Sequence, residues 1–195
     1  KYYRARITCS GNTTISTPLL VTTTLCYCPT TSTNNNEYIS RVVSGGFSNT
    51  STQSNYANYT GLGSIASVMQ GTATSTIRVT TSSGHANDGI YLFADWNQDG
   101  DFGDAGEVVT GPIAASGSGT YTLTITVPAG ATLGTTRLRI KLMRNANNNP
   151  CQSTFNNGEV EDYLITVIQS GSHTVTATTG RSCGAGTVSL PAIGG

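Results

Sequence analysis

Apolar side chains along this chain recur at every second position rather than at every third or fourth. Tyr3 to Ile7, Leu19 to Thr23, Ile77 to Val79, Ile90 to Phe93, Tyr121 to Val127, Arg137 to Leu142, Val160 to Val167 and Val175 to Thr179 all alternate in this way. A period of two belongs to a strand with one buried face and one wet face. Between the runs stand clusters that punctuate strands: Ser44-Gly45-Gly46, Ser82-Ser83-Gly84, Gly117-Ser118-Gly119 and Pro128-Ala129-Gly130. One stretch, Asn35 to Val43, spaces Glu37, Ile39 and Val42 so that a short helix with a single apolar side is also allowed. Abundant Thr supplies β-branching without greasiness on the wet faces. The expected fold class is all-β, an antiparallel β-sandwich.

The ends differ from the middle. Residues 1 to about 25 read as two strands joined at Ser10-Gly11-Asn12, with Cys9 in the first, and residues from about 170 read as two more, with Cys183 just before the second. Neither piece can bury a face alone. The run Tyr2-Tyr3-Arg4-Ala5-Arg6-Ile7-Thr8-Cys9 followed by Ser16 to Thr22 resembles the last two strands of the immunoglobulin-like repeats of large bacterial surface adhesins. Thr174 to Ala177 with Cys183 to Leu190 resembles the first two strands of such a repeat. The resemblance implies a split immunoglobulin-like half-sandwich at each end, residues 1–25 and 170–195, around a complete central domain at 26–169. It also implies that Cys9 and Cys183 bond between successive units. Two arrangements satisfy it: a repeat within a longer chain, or subunits joined head to tail by strand addition into a fibre.

Charge narrows the function. Ten Lys and Arg balance ten Asp and Glu, and charged residues make up only 10% of the chain, against about 25% in an ordinary soluble domain. No basic field exists to hold nucleic acid or an anionic membrane. No apolar run approaches the roughly 18 residues of a membrane span. The five cysteines, Cys9, Cys26, Cys28, Cys151 and Cys183, form no zinc-type pairs and are accompanied by two histidines, so disulfides in an extracellular compartment are expected.

The densest polar constellation is Asp95 to Glu107. Oxygen-bearing Asp95, Asn97 and Asp99 at alternate positions, with Gly100 sixth, match the opening of a calcium loop. The twelfth position is Gly106, and Glu107 falls one residue late. The expected Ca²⁺ ligands are therefore Asp95, Asn97, Asp99 and Asp101, closed by Glu107 or by a remote Asp162. Strand-like flanks exclude an EF-hand proper, and an Asx-rich hairpin whose carboxylates cap backbone N–H groups is the simpler alternative.

Asn157-Gly158-Glu159-Val160-Glu161-Asp162-Tyr163-Leu164-Ile165 contains the string that names the GEVED domain family of secreted Bacteroidota proteins, and residues 26–169 resemble that family. Tyr27-Cys28, Tyr38-Ile39, Tyr56, Tyr59-Thr60, Asp95-Trp96-Asn97, Thr136 to Arg139 and Pro150-Cys151 occur in the matching order. The resemblance implies a non-catalytic β-sandwich accessory domain of secreted multidomain proteins such as adhesins and peptidases. Because Tyr-Cys opens this domain and Pro-Cys nearly closes it, Cys28 and Cys151 are expected to pair, which leaves Cys26 without a named partner. Alternation on the last strand sets Glu159 and Glu161 opposite Arg137 and Arg139 on an exposed face, with Asp162 turned to the apolar side.

The remaining readings are weaker. Gly180-Arg181-Ser182-Cys183-Gly184 fits a nucleophile motif but lacks the following helix, and His85 and His173 have no acidic partner at a telling spacing, so catalysis is not expected. A carbohydrate-binding accessory module is the main alternative to a structural one, with Tyr56, Asn58, Tyr59 and Trp96 as stacking and amide groups. Asn12, Asn49 and Asn58 begin Asn-x-Ser/Thr sequons, candidate glycan sites on a weakly charged surface.

Overall fold

A computed structural model describes residues 2–4, 6–9, 12–20, 26–71 and 73–169. Cys183, His173, the Gly180–Gly184 motif, the strand at Val175 to Thr179 and the second half-sandwich lie outside the described residues, and so does the Cys9–Cys183 pairing. The N-terminal piece forms β1 (Tyr2–Tyr3), β2 (Arg6–Cys9), β3 (Asn12–Ile15) and β4 (Leu19–Leu20). β2 and β3 make an antiparallel hairpin, and β1 pairs antiparallel with β4.

The central domain holds β5 (Thr31–Ser32), β6 (Ile39–Ser44), β7 (Phe47–Thr50), β8 (Tyr56–Asn58), β9 (Ser64–Met69), β10 (Ala73–Thr81), β11 (Asp88–Ala94) and β12 (Val108–Ala114). It continues through β13 (Gly119–Thr126), β14 (Gly134–Arg144), β15 (Thr154–Phe155) and β16 (Gly158–Ile168). One sheet runs β13-β10-β6-β7; the other runs β12-β11-β14-β16 and is extended at its far edge by β8 and β9. The expected sandwich is therefore present. It departs from pure antiparallel pairing at one edge, where β8 and then β9 run parallel to β16. The long stretch of chain between β9 and β16 gives the return path that parallel neighbours need.

Where the spacing also allowed a short helix over Asn35 to Val43, Ile39–Ser44 form β6, the strand between β10 and β7. Ile39 and Val42 are fully buried. A register shift between Thr80 and Thr81 of β10 lets both reach the core from a strand whose simple alternation would set them on opposite faces. Tertiary burial overrides a short ambiguous period.

Ile77 and Val79 of β10 and Leu123 and Ile125 of β13 meet Ile90, Leu92, Leu138, Ile140, Leu142, Ile165 and Val167 of the second sheet. Burying each such side chain fully contributes about 1.5–3 kcal/mol. The first sheet is one-sided, with Thr122, Thr124 and Thr126 exposed. The second is covered on both faces. Its outer face carries Tyr91, Phe93, Arg139, Lys141 and Val160, all buried, beneath residues 27–31 and the segment that leads to Phe155. Cys28 and Cys151 are disulfide-bonded across this cover, at a sequence separation of 123. In the chain-entropy picture closing so long a loop contributes about 5 kcal/mol. Cys26 is exposed and has no disulfide partner among the described residues.

Candidate functional site

Two carboxylate-rich regions lie on either side of Tyr27. The first is the loop after β11. Asp95, fully buried, accepts from the backbone N–H groups of Asp99 (3.2 Å) and Gly100 (3.1 Å) and from the Tyr27 hydroxyl (2.7 Å). Burial and the Asp95 charge together drive the Tyr27 phenol well above its ordinary range. Glu107 closes the loop from within: its oxygens accept from Trp96 N (2.9 Å) and Asp104 N (3.1 Å). Desolvation pushes its carboxyl upward. Trp96 is buried in the main core and donates to the Gly106 carbonyl, so it offers no ring to a ligand. Phe102, also from the loop, packs on Tyr27 at 5.2 Å between centroids.

With the loop pinned at both ends, Asp99, Asp101 and Asp104 stay exposed, and one oxygen from each lies within 4.8 Å of the others. Asn97 donates to Asp99 (3.0 Å) and Asp104 (2.6 Å). Of the expected ligand set, the structure thus places Asn97, Asp99 and Asp101 together. It adds Asp104, which the sequence reading passed over, and gives Asp95 and Glu107 to the backbone.

Asp162 goes elsewhere. Directly opposite Arg139 in the β14–β16 register, it accepts from Arg139 Nε (2.7 Å) and Nη2 (2.9 Å), from Arg137 Nη1 (2.9 Å) and from the Tyr56 hydroxyl (3.0 Å). A carboxylate between two guanidiniums and a phenol has no need of a cation, so the remote-ligand expectation is corrected. The expected cross-strand pairing is corrected with it. Glu159 and Glu161 lie opposite Leu142 and Ile140, on the face turned to the first sheet, and both are fully buried. The alternation was right and its exposed side was not, because both faces of this sheet are covered.

Each member of the Gly-Glu-Val-Glu-Asp string therefore has a physical duty. Gly158 has φ +131°, and a Cβ there would stand 2.0 Å from the Leu142 carbonyl oxygen. Glu159 accepts from Ile39 N (2.6 Å) and from the Ser54 hydroxyl, tying β16 to the first sheet. Val160 packs with Met143 and Phe155. Glu161 accepts from the Tyr163 hydroxyl (2.7 Å), while its other oxygen, also buried, has no hydrogen-bond partner among the described residues. Burial pushes Glu159 up to about 7 and Glu161 up to about 8. Asp162 holds the arginines. Beside them Lys141, fully buried, donates to the Asn149 carbonyl (2.8 Å), and burial lowers its ammonium to about 8.

Between Tyr27 and Tyr56 lies a cavity of about 470 Å³, lined also by Thr31, Arg137, Arg139 and Asp162. Tyr56 is 37% exposed. Tyr59 stacks on Tyr163 and is only partly exposed. Asn58 uses its oxygen to cap Thr60. Asn49 donates its amide nitrogen to the Tyr163 hydroxyl (3.0 Å), which occupies the atom a glycan would join. Asn12 lies in β3, and His85 is exposed.

The fold and its cover define a two-sheet, disulfide-closed β-domain. Residues 89–166 match the family model of the GEVED domain, in support of the resemblance carried by the Gly158–Asp162 string. The match begins in β11, spans the acidic loop and ends within β16. No curated protein matches the chain. Among the described residues no helix is long and apolar enough to cross a membrane.

Proposed function

We propose that this chain is a non-catalytic structural module of an extracellular fibre or surface adhesin, joined head to tail to copies of itself or to adjacent repeats, with Ca²⁺ held in the loop after β11. The observation that carries the reading is the use made of the polar groups. Asp95, Glu107, Glu159, Asp162 and Arg139 are buried and bonded to backbone or to one another, while the exposed carboxylates converge in one braced loop. The Cys28–Cys151 bond supports an oxidising compartment.

Ca²⁺ takes six to eight oxygens in flexible geometry. Asp99, Asp101 and Asp104, with the Asn97 amide turned to present its oxygen, supply part of that set, and water completes it. Three carboxylates this close repel one another without a cation. Calorimetric titration with Ca²⁺ tests the loop: saturable binding abolished by Asp99→Ala and by Asp104→Ala supports it, and identical heats in both variants defeat it. Electrophoresis of the natural material with and without reductant, alongside negative-stain imaging, tests the assembly. Covalent ladders with fibres, or one long polypeptide that survives reduction, support a repeat architecture; a lone monomer opposes it.

A further inference from the structure

We infer that the cavity between Tyr27 and Tyr56 binds a carboxylated sugar, a hexuronic acid residue of an acidic glycan. Its volume, about 470 Å³, falls within the roughly 300–1,000 Å³ of small-ligand pockets. Two guanidiniums, Arg137 and Arg139, face one carboxylate, Asp162, so the lining carries one net positive charge. Asp95, behind Tyr27, is already saturated by Gly100 N, Asp99 N and the Tyr27 hydroxyl.

The two arginines are not equivalent. Arg139 is consumed: it grips Asp162 through two nitrogens and donates its third to the Cys28 and Pro150 carbonyls. Arg137 gives Asp162 a single nitrogen, and its guanidinium lies over the Tyr27 ring at 4.4 Å. Its Nε–H is buried with no acceptor among the described residues, an unfavourable state for a donor. A carboxylate is the acceptor whose charge and fork match a guanidinium that, unlike Arg139, is 18% exposed in its side chain and holds Asp162 by one nitrogen.

The walls select the rest of the ligand. Both tyrosine hydroxyls are spent on carboxylates, Tyr27 on Asp95 and Tyr56 on Asp162. Tyr56 therefore offers a ring face, suited to the C–H face of a pyranose, while the half-buried Thr31 borders the same cavity. A carboxylate on a body with one C–H face and several hydroxyls satisfies all three features.

Among the described residues, none of the calcium loop lines the cavity. The test is titration of the whole chain with glucuronate, glucose and cyclohexanecarboxylate, followed by amide and tyrosine ring NMR shifts. Saturable shifts at Tyr27, Tyr56 and Thr31 are expected with glucuronate and absent with glucose. Arg137→Gln and Tyr56→Ala, each confirmed folded by near-UV circular dichroism, weaken glucuronate about tenfold or more, while Thr122→Ala, on the exposed face of the first sheet, leaves it unchanged. Cyclohexanecarboxylate binding as tightly as glucuronate overturns the sugar; equal binding of glucose, equal affinity in folded Arg137→Gln, or no saturable shift overturns the site.

Discussion

The acidic loop and the Gly158–Asp162 string use the same side chains in opposite ways. In the loop, Asp99, Asp101 and Asp104 stand in water and crowd one another; in the string, Glu159, Glu161 and Asp162 are fully buried, the two glutamates on one face of β16 and Asp162 on the other. Water tolerates a crowded cluster and leaves its remedy to an ion from outside. The interior tolerates a carboxylate only when a donor, a cation or a proton is already in place. Asp162 has cations, Glu159 has donors, and Glu161, with one unpartnered oxygen, is the group for which a proton answers best. Tyr27 joins the regions, its hydroxyl on Asp95 and its ring under Arg137.

The contrast is broken most severely at Asp162. Asp162→Ala leaves Arg139 buried without its counter-charge and is expected to cost about 3–5 kcal/mol, while Asp101→Ala without Ca²⁺ stays within about 0.5 kcal/mol; urea unfolding of both compares them. For the loop, Ca²⁺ at a hundred times its dissociation constant should stabilise the protein by about 2.7 kcal/mol. Asp99→Ala should erase that increment and change little in chelator, as read by thermal melts. Equal loss under both conditions would assign the loop to hydrogen bonding alone.

The buried pair is tested by pH. Unfolding returns Glu159 and Glu161 from about 7 and about 8 toward the ordinary 4.5, so between those values the unfolded chain releases protons that the folded one retains. Their contribution is complete below about pH 4.5 and is lost as pH rises through 7 to 8. Stability should fall by up to about 1.4 kcal/mol per pH unit for each carboxyl. Glu161→Gln should flatten its share of the slope, and an unchanged urea midpoint from pH 5 to 8 would refute the assignment. Smallest is Tyr27→Phe, which removes one hydrogen bond to buried Asp95 for about 1–2 kcal/mol, measurable by the same denaturation.

The strands at Ile90 to Phe93, Tyr121 to Val127, Arg137 to Leu142 and Val160 to Val167 were legible because alternation survives wherever a sheet packs on another. Cys28 with Cys151 was legible through the family's order of landmarks. Which side of β16 faced inward was not. Glu159, Glu161 and Tyr163 alternate as cleanly as Val160, Asp162 and Leu164, and a local pattern cannot reveal that residues 27–31 and 149–155 cover the second face. For the same reason Arg137 and Arg139 read as a wet row, although Arg139 is 1% exposed. Asp104 escaped because the calcium template was counted by position, whereas Gly103 and the Glu107 brace decide which oxygens meet. Tyr27, from beyond the template, left only the signal that an aromatic precedes Cys28.

The covalent bridge sets how the domain answers a pull. A load carried along the backbone from Cys28 to Cys151 is shunted through sulfur, so the 123-residue separation between them, on the order of 400 Å of extended chain, cannot pay out under tension. The bridged segment then behaves as a nearly inextensible link, and any give under load must come from the chain outside it, which includes β16, the strand beyond Cys151.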